Sequence, residues 1–418
     1  MSELTEEGVR NEVRAWLEAN WDPDLGLIEW RNRLIDSGWG VPGWPKQWYG
    51  RDLAPALVPV VEEEMQRIGA IGVAKAGIRT LAAATILEHG TDLHKEKFLR
   101  RILTGEDTWC QLFSEPGSGS DVAGAVTRAE MRGNKWVVNG QKVWTTSAHH
   151  AHYGLLLART DWDQVKHKGL SYFILDMHQP GVKVQPLKQM NGHASFNQVF
   201  FTDAEVQPEF LVANVGEGWA VTTTTLMHER RGADGLRAWA MGSDKQGRAY
   251  DEERAEIATV MEPYKWYPQR AGRVDLVLPR AKETGAIDDP VVRQEIAKVL
   301  IMSKAAEWTA RRARAAQLQG RPQGPEGSLG KLVASHVARA CARVHSQMTG
   351  AAALLSGEDS PMNGLIAEIL VSVPAGSIAG GTDEIQRNII SERVLKMPKE
   401  PREDVDKPFR DVPRNIVS

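Results

Sequence analysis

Three groups of residues in this 418-residue chain carry functional groups spaced for chemistry. The first is Ser114-Glu115-Pro116-Gly117-Ser118-Gly119-Ser120-Asp121, which closes the apolar run Trp109 to Phe113. Pro116 fixes its own φ, and Gly117 and Gly119 let the backbone approach a bulky planar ligand. Ser114 and Ser120 add hydroxyls that donate or accept. The second group is Trp144-Thr145-Thr146, an indole and a hydroxyl brought beside that turn by a hairpin with Gly133-Asn134 at its tip. The third is Glu229, in Leu226-Met227-His228-Glu229-Arg230. Its helical neighbours three and four residues away are Thr225, Leu226, Gly232 and Ala233, small or apolar and none charged. A carboxylate on such a face points into a pocket or an interface, where desolvation suits it to general-base work. The same pattern fits an interface carboxylate paired with Arg230, Arg231 or a distant cation. Glu368, Asp383 and Glu384 are the other candidate carboxylates, and surface or helix N-terminal roles suit them equally.

The elements that must position these groups fall into three regions. Residues 1–108 read as a helical domain. Val9, Val13 and Leu17 step by four along Glu6 to Glu18, and Trp30 to Gly38, Leu53 to Ile68, Ala74 to His89 and Leu93 to Thr104 read as further helices. Residues 109–212 alternate short apolar runs with turn signals and predict a compact antiparallel or mixed β domain. Gly140 predicts a turn after Lys135 to Asn139. No Gly-x-Gly-x-x-Gly opens a helix here, which disfavours a Rossmann-type site. Residues 213–396 predict a helical bundle with helices over Gly218 to Met241, Pro290 to Leu318, Ser328 to Leu355, Asn363 to Val373 and Asp383 to Leu395. The tail, 397–418, is charged and Pro-bearing and reads as loose, or as an arm across a partner. The fold class is α+β.

Composition narrows the function. A net charge of −3 gives no electrostatic case for nucleic acid or a membrane surface. Two cysteines, Cys110 and Cys341, without metal-ligand spacing, argue against a disulfide framework or a zinc site. Met1 to Asn11 lacks an apolar signal core, so a cytoplasmic location is expected. Fourteen Trp include Trp39, Trp44 and Trp48 crowded in one loop, as packing residues or a pocket wall.

The two ligand-facing motifs resemble the flavin-binding segments of the acyl-CoA dehydrogenase family, Thr-Glu-Pro-Gly-Ala-Gly-Ser-Asp and Trp-Ile-Thr. The resemblance extends in order through Trp39 to Gly50, Glu88-His89-Gly90-Thr91, Gly216-Glu217-Gly218-Trp219 and Gly381-Thr382-Asp383-Glu384-Ile385-Gln386-Arg387. It implies an N-terminal helical domain, a central β domain and a C-terminal bundle. It implies FAD, an acyl-CoA substrate, α,β-dehydrogenation to the trans-2-enoyl thioester, and electron-transfer flavoprotein as acceptor. It also implies a homodimer or homotetramer, a hetero-oligomer being the alternative. Flavin contacts fall on Leu112, Phe113, Ser114, Gly119, Ser120, Trp144, Thr145, Thr146, Gly381, Thr382 and Glu384. Thioester contacts fall on Ser120, Arg230 and Gly380.

The chain departs from the family at telling places. The loop glutamate that serves much of the family as base is Gly380 here. In the isovaleryl and long-chain branch the base sits on a bundle helix before an arginine, and Glu229-Arg230 stands there, which implies that Glu229 is the base. Ala281-Lys282-Glu283-Thr284-Gly285 replaces Arg-x-x-Phe-Gly, with Arg293 nearby, and Gly350-Ala351-Ala352-Ala353 replaces Gly-Gly-x-Gly. Cofactor binding across a dimer is therefore open. An extra stretch, 242–270, either lines a substrate entrance or packs on its own subunit. A flavin oxidase or monooxygenase on the same fold, and one subunit of a hetero-oligomer for steroid side chains, are the competing functions.

Overall fold

The computed structural model describes residues 5–75, 77–232, 244–319, 321, 326–402 and 404–413, the side chains at 230–232, 317 and 326 aside. Five N-terminal helices come first: α1 (Glu6–Asn20), α2 (Leu27–Asp36), α3 (Val58–Ile68), α4 (Arg79–His89) and α5 (Asp92–Thr104). Thr5 caps α1 by accepting from the Gly8 N–H, and the stripe Val9, Val13, Leu17 is buried. These helices close over Trp30, Leu34, Ile35 and Trp39. Trp39 and Trp48 are core residues and Trp44 packs against them, so the Trp-rich loop is packing rather than an open pocket wall. Helix α4 starts at Arg79, later than its apolar pattern predicts, because Gly77 takes φ +66 and breaks the helical path.

The sheet has eight strands: β1 (Trp109–Leu112), β2 (Arg128–Arg132), β3 (Lys135–Thr146), β4 (Tyr153–Arg159), β5 (Leu170–Asp176), β6 (Val182–Leu187), β7 (Phe196–Val206) and β8 (Leu211–Val212). Their order is β6-β7-β3-β2-β4-β5-β8, with β1 paired to β4. The β1–β4 and β2–β4 pairings are parallel and the others antiparallel. This is not a doubly wound nucleotide fold. Gly140 does not turn the chain. Strand β3 runs through it, with register shifts between Val138 and Gly140 and between Lys142 and Thr145. At φ +149, a Cβ on Gly140 would lie 2.6 Å from the Thr127 hydroxyl, so the glycine makes a bulge with close backbone approach instead.

The described chain forms two compact units. The first comprises the described residues within 1–187, 195–263 and 402–418, and the second those within 188–194 and 264–401. The first unit holds the N-terminal helices, the sheet, α6 (Gly218–Gly232) and α7 (Arg248–Met261). The predicted continuation of α6 to Met241 lies outside the described residues. Helix α7 belongs to the extra stretch and packs on the N-terminal helices of its own chain. Ala249 and Tyr250 are buried, the Tyr250 hydroxyl donates to Gly69 O at 2.6 Å, and Glu252 accepts from the Leu27 N–H at 2.7 Å. Glu256 pairs with Arg31 and Arg79, both buried, at 2.6 Å each.

The tail is neither loose nor free to reach a partner over residues 404–412. Phe409 is fully buried, its N–H donates to Gln164 O at 2.9 Å, and the Arg410 N–H donates to Trp162 O at 3.0 Å. The segment between β4 and β5 offers the tail backbone carbonyls as acceptors, and the Phe409 ring packs beside them.

The second unit contains α8 (Val274–Glu283), α9 (Pro290–Leu318), α10 (Glu326–Thr349), α11 (Leu365–Ser372) and α12 (Asp383–Ile389). Val277, Ile296, Val299, Cys341 and Val344 form its core. The loop 188–194 joins it through His193–Glu368 at 3.0 Å and Asn191–Ser372 at 3.1 Å. After Ile389 the last helix widens into a π turn over Ile390–Val394 rather than continuing as α-helix to Leu395.

Candidate active site

The Ser/Gly turn is held from beneath by a buried ion pair. Glu115 accepts from Lys142 Nζ at 2.8 Å, the Val126 N–H at 2.7 Å and the Thr127 N–H at 2.9 Å. Lys142 also donates to Phe113 O at 3.0 Å. Glu115 and Lys142 are 4% and 0% exposed. Burial pushes the Glu115 carboxyl up, but the Lys142 ammonium and these donors outweigh it and hold it below the usual range. The Val143 N–H donates to Ser114 O at 2.9 Å and clips the turn to β3. With the backbone so fixed, Gly117, Gly119 and Ser120 remain exposed, and Ser114 is half-buried.

The end of β3 re-aims its side chains. The second register shift falls at Val143-Trp144, and Trp144 takes φ +61. Its indole is 56% exposed and meets Phe196 edge-on, at 5.7 Å between centroids. Alternation then buries Thr145 and leaves Thr146 partly open. Asn197 Nδ2 donates to Thr145 O at 3.0 Å, which fixes the strand end. Thr145 Oγ1 is buried with no hydrogen-bond partner in the structure. The side chains of Leu112 and Phe113 are both core, on opposite faces of the sheet. An exposed indole and one open hydroxyl, that of Thr146, on a rigid strand end suit a planar, hydrogen-bonding ring system, so these residues fit a flavin.

Glu229 stands on α6 opposite β1. Gln111 Nε2 donates to Glu229 Oε2 at 3.3 Å. Gln111 is three residues before Ser114, so one strand carries both a partner of the carboxylate and the ligand turn. Sequence reading missed Gln111 because an amide in an apolar run carries no spacing signal. The surroundings of Glu229 are more polar than its small neighbours suggest. One turn earlier, Thr225 Oγ1 meets Thr85 at 2.9 Å and Tyr172 OH at 3.0 Å. On the adjacent strip, Thr224 Oγ1 meets His89 Nε2 at 2.8 Å and Glu88 at 3.2 Å, and His228 lies 3.8 Å from Glu88. Arg230 is helical, and its side chain lies outside those described.

Within the second unit the remaining carboxylates have structural duties. Asp383 is buried and accepts from both Ser335, at 2.7 Å, and Arg339, at 3.0 Å. Burial raises its pKa, and Ser335, Lys331 and Arg339 outweigh that and hold it low. Glu368 accepts from Gln269 at 3.2 Å as well as meeting His193. Glu384 is exposed and pairs with Arg387 at 3.2 Å. Gly380 and Gly381 have φ of 69° and 84°, and Gln386 Nε2 donates to both carbonyls at 3.1 and 3.3 Å. Thr382 caps α12 by accepting from the Ile385 N–H at 3.2 Å. Among the described residues no His/Cys/Asp/Glu group could hold a metal, and no helix is long and apolar enough to cross a membrane.

Comparison with known proteins shows the family and the fold. The chain matches the acyl-CoA dehydrogenase N-terminal domain over residues 1–106, the middle domain over 110–204 and the C-terminal domain over 273–395. It is 31% identical to acyl-CoA dehydrogenase IpdE1 of Mycobacterium tuberculosis over 419 residues, covering 94% of this chain and 98% of that protein. It is 31% identical to IpdE1 of Mycolicibacterium smegmatis, covering 94% and 97%. Its fold is similar to the Tcur3481-Tcur3483 steroid ACAD, with a TM-score of 0.64 and 24% identity over 96% of this chain and 99% of that one. The ChsE4-ChsE5 complex from Mycobacterium tuberculosis gives a TM-score of 0.60 and 24% identity, covering 94% and 98%. The chain belongs to the acyl-CoA dehydrogenase family and is an oxidoreductase of that type.

Proposed function

We propose that the chain catalyses FAD-dependent α,β-dehydrogenation of an acyl-CoA thioester, with Glu229 as the base. The observation that carries this reading is the Gln111–Glu229 contact, which ties the carboxylate to the strand leading into the Ser114–Asp121 turn. Glu229 removes the Cα proton, and Gln111 steadies the oxygen that it bonds. Ser114, Gly119, Ser120, Trp144 and Thr146 hold the flavin and the thioester, with Leu112 and Phe113 contributing backbone and Thr145 anchoring the strand end. FAD, when bound, supplies the acceptor for the hydride leaving Cβ. Arg230, Gly380, Gly381, Thr382 and Glu384 keep the substrate and cofactor roles that the family resemblance gives them, Gly380 through its N–H alone. Electron-transfer flavoprotein is the proposed electron acceptor, and the cytoplasm the proposed location.

The wall beside Glu229 bears Glu88, His89, Thr224 and His228. Such a wall favours an acyl group carrying a hydrogen-bonding oxygen over a bare fatty chain. A second reading, one subunit of a hetero-oligomer, is favoured by Ala281 to Gly285 standing where the family has Arg-x-x-Phe-Gly, and by similar folds in structures titled as a Tcur3481-Tcur3483 steroid ACAD and a ChsE4-ChsE5 complex. The protein purified alone is expected to be yellow and to bleach anaerobically with a suitable thioester. In Glu229→Gln the flavin remains, substrate binds, and bleaching slows by roughly a hundred- to ten-thousand-fold. Bleaching at the wild-type rate removes Glu229 as base. A colourless lone chain that becomes yellow only with a partner supports the hetero-oligomer.

A further inference from the structure

The Ser/Gly turn is followed by residues 121–127, and this segment is clamped from two sides. On one side Glu115 holds the Val126 and Thr127 N–H groups. On the other side Arg159, fully buried, donates to Ala123 O at 2.7 Å, Ala125 O at 3.0 Å and Lys166 O at 3.1 Å. The Arg159 guanidinium lies 3.3 Å from the ring centroid of Phe409, a residue of the tail. Phe409 is 250 residues downstream of Arg159 and is held by backbone bonds to Gln164 and Trp162 and by a bridge between Val165 and Pro408. A second tail contact lies alongside. Lys166 Nζ is 2.5 Å from Asp121 and 3.1 Å from Asp404, so one nearly buried ammonium joins the last residue of the turn to the tail.

We propose that residues 404–412 form a strap that positions the Ser118–Asp121 turn, with Phe409 and Asp404 as positioning residues for flavin and thioester binding. The inference rests on the turn being the flavin and thioester site. Its physical basis is desolvation. Phe409 excludes water from the guanidinium, so the Arg159 bonds to the Ala123 and Ala125 carbonyls do not compete with solvent. Asp404 supplies the second carboxylate that lets Lys166 stay buried while reaching Asp121. Arg402 bonds to Asp404 and, against burial, holds its carboxyl well below the usual range, with Lys166 adding to the effect, so the strap keeps its charge at neutral pH. Without the strap, water reaches Arg159 and Lys166 together, and residues 117–125 lose the fixed backbone that a flavin needs.

Full-length Phe409→Ala and Asp404→Asn test this, with Phe409→Trp and Asp404→Glu as conservative controls. Flavin affinity is read by fluorescence quenching on adding FAD to apoprotein, and backbone opening by amide hydrogen exchange over 117–125. Losing a charge-assisted contact predicts roughly ten- to hundredfold weaker flavin binding and faster exchange in that segment, both restored by the conservative variants. Thermal melting of the apoproteins separates positioning from general destabilisation. Wild-type affinity and wild-type exchange in Asp404→Asn and Phe409→Ala overturn the strap, as does a loss of affinity that follows only from a lower apoprotein melting point. If Phe409→Ala does not fold, the rim variant Asp404→Asn decides alone. If the wild-type apoprotein takes up no flavin, the flavin reading fails, and exchange over 117–125 still decides whether the strap positions the turn.

Discussion

Lys142→Met isolates what holds the ligand turn. Lys142 is wholly buried and makes two bonds, to Glu115 at 2.8 Å and to Phe113 O at 3.0 Å. Methionine fills a similar volume but leaves Glu115 as a buried carboxylate with only backbone donors. Removing one partner of a buried pair costs about 3–5 kcal/mol. The effect has a signature in pH. In the wild type the Glu115 carboxyl is held below its unfolded value, so its contribution is present above the unfolded carboxylate pKa and is lost as pH falls through the folded one. In Lys142→Met burial acts unopposed by an ammonium, and the carboxyl moves the other way. Its penalty then shrinks as pH falls and the group takes up a proton. The two proteins should therefore converge in stability on acidification. Denaturant melts followed by tryptophan fluorescence across a pH series measure this, and flavin content should fall together with stability in the variant. The double variant Glu115→Gln/Lys142→Met should recover most of the loss, because no buried charge remains. The reasoning fails if the single variant loses less than about 1 kcal/mol, the size of an exposed pair, or if its deficit does not change with pH.

Two further outcomes follow from the site and a third from the packing of α7. Thr146→Val removes a partly open hydroxyl from the end of β3 and should alter the flavin spectrum and slow its reduction, with the melting temperature nearly unchanged; identical reduction kinetics would remove Thr146 from the cofactor. Gln111→Leu takes away a donor to Glu229 and should lower kcat for flavin reduction by roughly tenfold, the worth of about one weak charged hydrogen bond, while Gln111→His retains more activity; stopped-flow reduction compares them. Glu256→Gln leaves Arg31 and Arg79 buried beside a neutral amide and should destabilise the protein by roughly 3 kcal/mol, read by denaturant melts; a change within the range of surface substitutions would show that water serves these arginines instead.

Much of this was legible in residues whose signals are local. The hydroxyls and glycines of the turn, the strand carrying Trp144 and Thr146, and the four-residue stripe of α1 are short-range patterns; the stripe is buried as read, while the strand is longer than read because it runs through Gly140. Thr145 and Thr146 read alike in the sequence as flavin contacts, and only the structure turns Thr145 inward. What the sequence hid depends on distant partners. Gly140 has the composition of a turn, and only its approach to Thr127 makes it a bulge. Lys142 looks like an outward-facing strand residue until Glu115 lies beneath it. The tail is polar and rich in charge, and its one decisive side chain, Phe409, finds meaning only against Arg159. The Glu88–His89–Thr224–His228 group is split between two helices, so no window of sequence contains it.

The pairing of α7 with the N-terminal helices bears on how the chain is made. Arg31 and the Leu27 N–H are satisfied by Glu256 and Glu252, each 225 residues downstream, and Arg79 by Glu256 at 177 residues. A ribosome delivers the first helices long before these carboxylates exist. Until then the N-terminal helices contain a guanidinium site with no counter-charge, and closing so long a loop is slow. Residues 1–108 expressed alone should therefore stay partly open and protease-sensitive. The nascent chain must wait, exposed to chaperones, until its middle has emerged to complete its beginning.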